Sequence, residues 1–260
     1  MKKAIRRLLS VVLPRLMPNA VQTRQREPSM VFSLDDDTSQ PSDFLISLAL
    51  HAVQRAREIS LHDLDVRLDE ARKDQGRSAA WHPSFWPGDH YRLLAGLAEV
   101  LQPRLVVEIG TGNGLSALSM KEHLPHGSQI ATFDILGWRE IRPFTYLKPS
   151  DFDDGTLIQY LDDLSKPEVF AKHELLLKRA DMMFIDGPKD GMMERELLEN
   201  FNRITFDARQ LVMVFDDIRF WNMLGIWRKI SFPKLDLTSF GHWSGTGLVE
   251  WRPARRVPLS

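Results

Sequence analysis

The sequence predicts an α/β protein, a mostly parallel sheet with helices on both faces. Three observations carry this. Short apolar runs recur along the chain from Leu105 onward, at Leu105–Ile109, Gln129–Phe133, Thr156–Leu161, Asp181–Ile185 and Leu211–Phe215, and they end at acids or glycines. Such runs read as strands buried on both faces. The first of them leads through alternate glycines into a helix-forming stretch, so strand, loop and helix follow in order from Leu105 to Met120. The last segment, SFGHWSGTGLVEW, reads as a β-hairpin with a glycine turn.

Taken from the start, residues 1–41 form a basic extension and linker. Lys2, Lys3, Arg6, Arg7, Arg15, Arg24 and Arg26 all precede the first acid, Glu27. The segment reads either as a basic amphipathic helix in weak peripheral contact with an anionic membrane or as a loosely docked extension. Pro14 and Arg15 interrupt its apolar run, which speaks against a signal peptide. Asp35, Asp36 and Asp37 are a solvated acidic run in the linker. Residues 42–80 form a helical cap: Ser42 caps a helix with Phe44, Leu45, Leu48, Ala52 and Val53 on one face, and Ser60 to about Lys73 repeats the pattern with Leu61, Leu64 and Leu68. Trp81 and Trp86 either line a substrate pocket or pin the cap to the core. His82 and His90 lack partners at metal-ligand spacing and read as structural. His90–Leu101 is a further helix, ended by Pro103.

Composition narrows the classes. The chain carries no cysteine, which removes disulfides and thiolate chemistry, and a formal net charge of −1, which gives no argument for nucleic acid. No stretch is apolar enough to span a membrane. A cytoplasmic protein is expected, peripheral at most to the inner face of a membrane.

The ligand-binding candidates begin at the glycine loop. Glu108 sits near the end of the first strand, and Gly110, Thr111, Gly112, Asn113 and Gly114 form the loop, with Ser116 just inside the helix. Bare backbone beside a helix N-terminus lets a ligand approach closely. A dinucleotide fingerprint would need a third glycine where Leu115 stands. Asp134 ends the second strand about 20 residues past the glycines, where a carboxylate can accept from both hydroxyls of a ribose. Asp162 and Asp163 follow the third strand. The fourth ends in FIDGPKDG, with Asp186 and Lys189, and the fifth in Asp216 and Asp217. Strand ends on one edge of a parallel sheet are neighbours, so Asp186, Asp216 and Asp217 can converge. Three carboxylates together suit a hard divalent ion such as magnesium, manganese or calcium.

The loop resembles the first motif of class I S-adenosylmethionine-dependent methyltransferases. With the acids and lysine downstream, the chain from about His90 looks like the small metal-dependent O-methyltransferases of the catechol and caffeoyl-coenzyme A type. That resemblance implies a Rossmann-like sheet of seven strands, the last antiparallel beside the fifth, over a domain of residues 81–260. It implies that Ser116 faces the methionine carboxylate, and that Asp162 or Asp163 meets the adenine amino group, a helix cap before Pro167 being the other reading. It also implies that Asp186, Asp216 and Asp217 hold the metal. The chain departs from the family at Asp217, where asparagine is usual. Lys189, near a cation, then reads as a general base, with a surface ion pair to Asp190 as the alternative. Asp186 would share in both cofactor binding and catalysis. The acceptor is expected to be a hydroxyl of a small molecule or glycan. A metal-independent methyltransferase, a nicotinamide-binding protein and a non-catalytic binder are the alternatives. Phe220, Trp221 and Trp227 follow the fifth strand, His242 and Trp243 could reach the pocket, and the many aromatics near the C-terminus would suit a homodimer interface. His242 reads as structural before it reads as a second base, and Arg252, Arg255 and Arg256 as a solvated end. Flotation with anionic liposomes separates the two readings of the N-terminus: if it lies on membranes, the full chain floats and a chain starting at Gln40 does not.

Overall fold

The computed structural model describes residues 40–75, 89–141, 145–208, 210–241 and 243–251. The basic N-terminus, Trp81, His82, Trp86, His242 and the arginines at 252, 255 and 256 lie outside the described residues. Seven helices, α1 (Asp43–Glu58), α2 (His62–Gln75), α3 (His90–Leu101), α4 (Leu115–Lys121), α5 (Pro167–Leu177), α6 (Met193–Phe201) and α7 (Met223–Lys229), surround seven strands. These are β1 (Leu105–Ile109), β2 (Gln129–Phe133), β3 (Leu157–Tyr160), β4 (Met182–Ile185), β5 (Leu211–Asp216), β6 (Lys234–Asp236) and β7 (Thr246–Trp251).

They form one sheet in the order β3-β2-β1-β4-β5-β7-β6. β1 to β5 are parallel, and β7 runs antiparallel between β5 and β6. The expected seventh strand beside the fifth is therefore present. The closing segment differs from the expected hairpin, because SFGHWSGTGLVEW supplies only β7 and its partner β6 lies upstream at Lys234–Asp236. Strand order reverses between β1 and β4. That reversal opens a crevice at their carboxyl ends.

Period-two side-chain alternation divides the core. Val106, Met182, Phe184, Val212, Val214 and Leu248 face one layer, while Leu105, Val107, Ile109, Met183, Met213 and Phe215 face the other. Both faces are covered, which is why the strands read as unbroken apolar runs. The second layer is built with residues of α5, α6 and α7.

α1 and α2 belong to the first layer. Ser42 caps α1 by accepting from the Leu45 N–H at 3.2 Å. Leu45, Leu48 and Ala52 of α1, Leu61 just before α2, and Leu64 and Leu68 of α2 pack in one cluster with Leu93, Leu94 and Leu97 of α3. α2 is also tied to the connection between β2 and β3. Arg67 donates to both carboxylate oxygens of Asp151, at 2.6 and 2.8 Å, and the Tyr146 N–H donates to the Asn113 carbonyl at 2.9 Å. The connection so anchored lays Leu147 against Gly114.

α1 and α3 touch backbone to backbone. A Cβ on Gly96 would lie 2.5 Å from the Ala52 carbonyl oxygen. Gly96→Ala would gain about 1 kcal/mol of helix propensity, but overpacking costs roughly 1–3 kcal/mol. Overpacking should win. Urea unfolding is expected to show a lower midpoint for Gly96→Ala with an unchanged slope.

Candidate active site

The glycine loop is shaped by positive φ. Gly110, Gly112 and Gly114 sit at φ +96°, +47° and +84°, a region that side-chain-bearing residues rarely adopt. A Cβ on Gly110 would overlap the Asp186 carbonyl, and one on Gly114 would overlap Leu147; Gly112 faces open space. Two of the glycines therefore serve packing, and the middle one leaves backbone open to a ligand.

The side chains behind the loop are turned inward. Glu108 is fully buried and accepts from the Ser116 hydroxyl, while its Oε2 has no partner among the described residues. Burial pushes this carboxyl up to about 7, against the pull of the Ser116 and Thr132 hydroxyls. The Ser116 hydroxyl, expected to face a ligand carboxylate, donates to Glu108. Thr111 is buried as well, its hydroxyl 2.8 Å from that of Thr132, and Asn113 Oδ1 accepts from the Leu115 N–H at 3.1 Å at the start of α4. Glu108, Thr111, Asn113, Gly114 and Ser116 support the loop rather than line the cavity beside it.

That cavity has a volume of about 550 Å³, within the ordinary range for small-molecule sites. Its floor and walls include Ile109, Gly110, Gly112, Phe133, Leu164 and Pro188. Six carboxylates line it, Asp134, Asp162, Asp163, Asp186, Asp190 and Glu196, against the one ammonium of Lys166. This charge suits a cationic, hydroxyl-bearing ligand and repels a pyrophosphate. Asp134 accepts from the Gly112 N–H at 3.1 Å, which fixes it at the loop. Asp162 pairs with His173 Nε2 at 2.8 Å, and the His173 ring is held edge-on against Phe133 and Tyr160. Asp163 accepts from the N–H and hydroxyl of Ser165 in the turn leading to α5. It shapes that turn without being the cap residue of α5, which is Lys166.

The 186–191 loop brings the second group together. Oxygens of Asp186, Asp216 and Asp217 lie within 4.8 Å of one another. The Lys189 ammonium pairs with Asp186 and lies 3.8 Å from Asp216 and 3.4 Å from Asp217. Lys189 is 6% exposed, so the surface pair with Asp190 is not formed. Asp190 instead accepts from the Met192 and Met193 N–H groups at the start of α6. Lys189 and Asp217 both carry positive φ, +61° and +56°. Strained non-glycine backbone of this kind persists only where its surroundings enforce it.

Two supports of this group are not assigned to it from the sequence, where Glu194 goes unnoticed and His90 reads only as structural. Glu194, fully buried on α6, accepts from the Lys189 N–H at 2.8 Å with one oxygen and from the Gly191 N–H at 2.9 Å with the other. It clamps the loop in its strained shape. Burial raises its carboxyl above the usual range. His90, on α3, places Nδ1 3.8 Å from Asp216 and 3.4 Å from the Thr246 hydroxyl. The spacing DGPKDGMMERE holds Glu194, but nothing local separates it from the exposed acids around it.

No protein-family model and no curated protein sequence matches the chain. Among solved structures, the chain is similar to a methyltransferase from Geobacter sulfurreducens, at 16% identity and a TM-score of 0.51 over 75% of this chain and 92% of that one. It also aligns with the O-methyltransferase TomG from Streptomyces achromogenes, solved with SAM, at 16% identity and a TM-score of 0.48 over 78% and 96%. The fold is the Rossmann-like methyltransferase fold. At these identities the likeness speaks for the fold alone, and the chemistry has to come from the site.

Glu108 gives a pH prediction. Its native carboxyl titrates near 7 rather than 4.5, so it favours the folded state fully below 4.5 and that contribution is lost as pH rises through 7. Urea midpoints should fall for the wild type between about pH 5 and pH 8 more steeply than for Glu108→Gln. Equal slopes would show that Glu108 is not the group responsible.

Proposed function

We propose that the protein transfers a methyl group from S-adenosylmethionine to a hydroxyl oxygen of a small molecule or glycan, with a divalent ion at the carboxylate triad. The observation that carries the reading is the cavity at Gly112, six carboxylates to one ammonium, at the strand-order reversal of this fold. S-adenosylmethionine, with its sulfonium and ammonium, matches that charge, and a dinucleotide does not. Asp134, held at the loop by the Gly112 N–H, would accept from the ribose hydroxyls, and Asp162, steadied by His173, from the adenine amino group.

S-adenosylmethionine supplies an electrophilic methyl, so what remains for the protein is to present a deprotonated, aligned oxygen. Asp186, Asp216 and Asp217 offer three hard oxygen donors, and with Lys189 their charge is −2, which one divalent cation balances. An ion held there would lower the pKa of the acceptor hydroxyl. Lys189 would take the proton only as the neutral amine, a form favoured once a divalent ion supplies positive charge among these carboxylates, and would become the ammonium in doing so; Glu194 holds its backbone. Asp217 in place of the family's usual asparagine adds one negative charge that Lys189 offsets at 3.4 Å.

A second reading follows from the same contacts. Lys189 already neutralises part of the triad, so the ammonium itself could act as the cation, without metal. Calorimetry and a chelator separate the two. S-adenosylhomocysteine should bind wild type, and Asp134→Asn should bind about tenfold more weakly through loss of a charged hydrogen-bond acceptor. Methyl transfer should stop on addition of EDTA and return with magnesium or manganese, while cofactor binding is unchanged. Activity indifferent to EDTA would select the Lys189 reading, and absence of any cofactor binding would overturn both.

A further inference from the structure

We propose that the methyl acceptor is a pyranose sugar, seated on an aromatic shelf of Phe220, Trp221 and Trp243 beside the carboxylate triad; this rests on the methyl-transfer reading above. The shelf grows out of the triad itself. β5 ends at Asp216, the chain turns at Asp217, and the Phe220 N–H donates to the Asp217 carbonyl at 2.8 Å. The Ile218 and Arg219 N–H groups donate to the Gly245 and Ser244 carbonyls, at 3.2 and 2.8 Å. The turn carrying Phe220 and Trp221 is therefore bolted to the β6–β7 connection carrying Trp243. On its other side, Asn222 donates to the Asp190 carbonyl at 2.7 Å, which ties the shelf to the 186–191 loop.

The rings pack against one another at the surface. Phe220 lies 4.2 Å from Trp221 between centroids, and Trp243 meets Phe220 edge-to-face at 5.5 Å. Trp243 remains 57% exposed, whereas Trp227 and Trp251 are buried in the core. Large rings held in water by a braced loop present apolar area at little entropic cost.

Chemistry narrows what covers them. An anionic acceptor would meet Asp186, Asp190, Asp216 and Asp217, while the nearby cations are engaged, Lys189 with the triad and Arg219 with Asp236 at 3.1 Å. With a divalent ion the triad and Lys189 carry at most one negative charge in sum, so a cationic amine gains little there. A phenol would stack on the same rings but brings one or two hydroxyls to the carboxylates around the shelf, where a pyranose brings several. A pyranose has one apolar C–H face to lie on the rings and hydroxyls at its edge to donate to carboxylates. The open side also lets a longer glycan run into solvent.

The test is saturation-transfer NMR on the full chain with S-adenosylhomocysteine and magnesium, using the methyl pyranosides of glucose, mannose and galactose, with catechol and phenethylamine as the competing classes. Transfer to the C–H protons of at least one pyranoside is expected. Its affinity should fall about fivefold in Trp243→Ala, the value of one aromatic contact, and be retained in Trp243→Phe. S-adenosylhomocysteine affinity, measured by calorimetry on the same samples, should be the same in all three proteins. Transfer from no pyranoside, transfer from catechol or phenethylamine alone, or a pyranoside signal indifferent to Trp243→Ala would each overturn the inference while cofactor binding leaves the methyl-transfer reading standing. Loss of cofactor binding in the wild type would overturn both.

Discussion

The site depends on how closely the ends of β1 and β4 approach. The Asp186 N–H donates to the Ile109 carbonyl at 2.9 Å, and Gly110 packs so tightly on Asp186 that no side chain fits between them. This contact sets the glycine loop directly against the 186–191 loop. The crevice that parallel topology opens at a strand-order reversal is thereby divided into a cavity at Gly112 and a carboxylate group beside it.

Holding that group together requires work against charge and backbone preference alike. Three carboxylates within a few ångströms repel, and Lys189 and Asp217 both occupy the left-handed region. The opposing forces are specific. Lys189 places its ammonium among the carboxylates, and Glu194 accepts the two N–H groups that the strained loop would otherwise leave without a partner. Burying Glu194 is costly for a carboxylate, and its raised proton affinity shows it. Two backbone hydrogen bonds offset that cost at the position where the loop has to stay fixed.

The helical cap shows the same economy at longer range. α2 reaches the glycine loop through intermediaries: Arg67 to Asp151, and from the same connection Tyr146 to Asn113 and Leu147 to Gly114. The loop's far side is thus shaped by a segment more than 30 residues downstream and a helix about 40 residues upstream.

By itself the sequence determined the strands, the loop and the edge on which the acids gather. Apolar runs ending in Glu108–Gly110, Asp134, Asp186 and Asp216 fix strand position and direction, because backbone pairing and period-two burial leave a buried run few other states. The triad was legible for the same reason: strand ends of a parallel sheet share an edge. Which way each side chain turns was decided only by tertiary structure. Ser116 faces Glu108, Asp162 answers His173 on α5, and Lys189 leaves its neighbour Asp190 for three more distant carboxylates. Glu194 and His90 had no local signature, and β6 was too short to read. A side chain's partner is chosen by charge and packing across the fold, and those neighbours are set by topology rather than by adjacency in the chain.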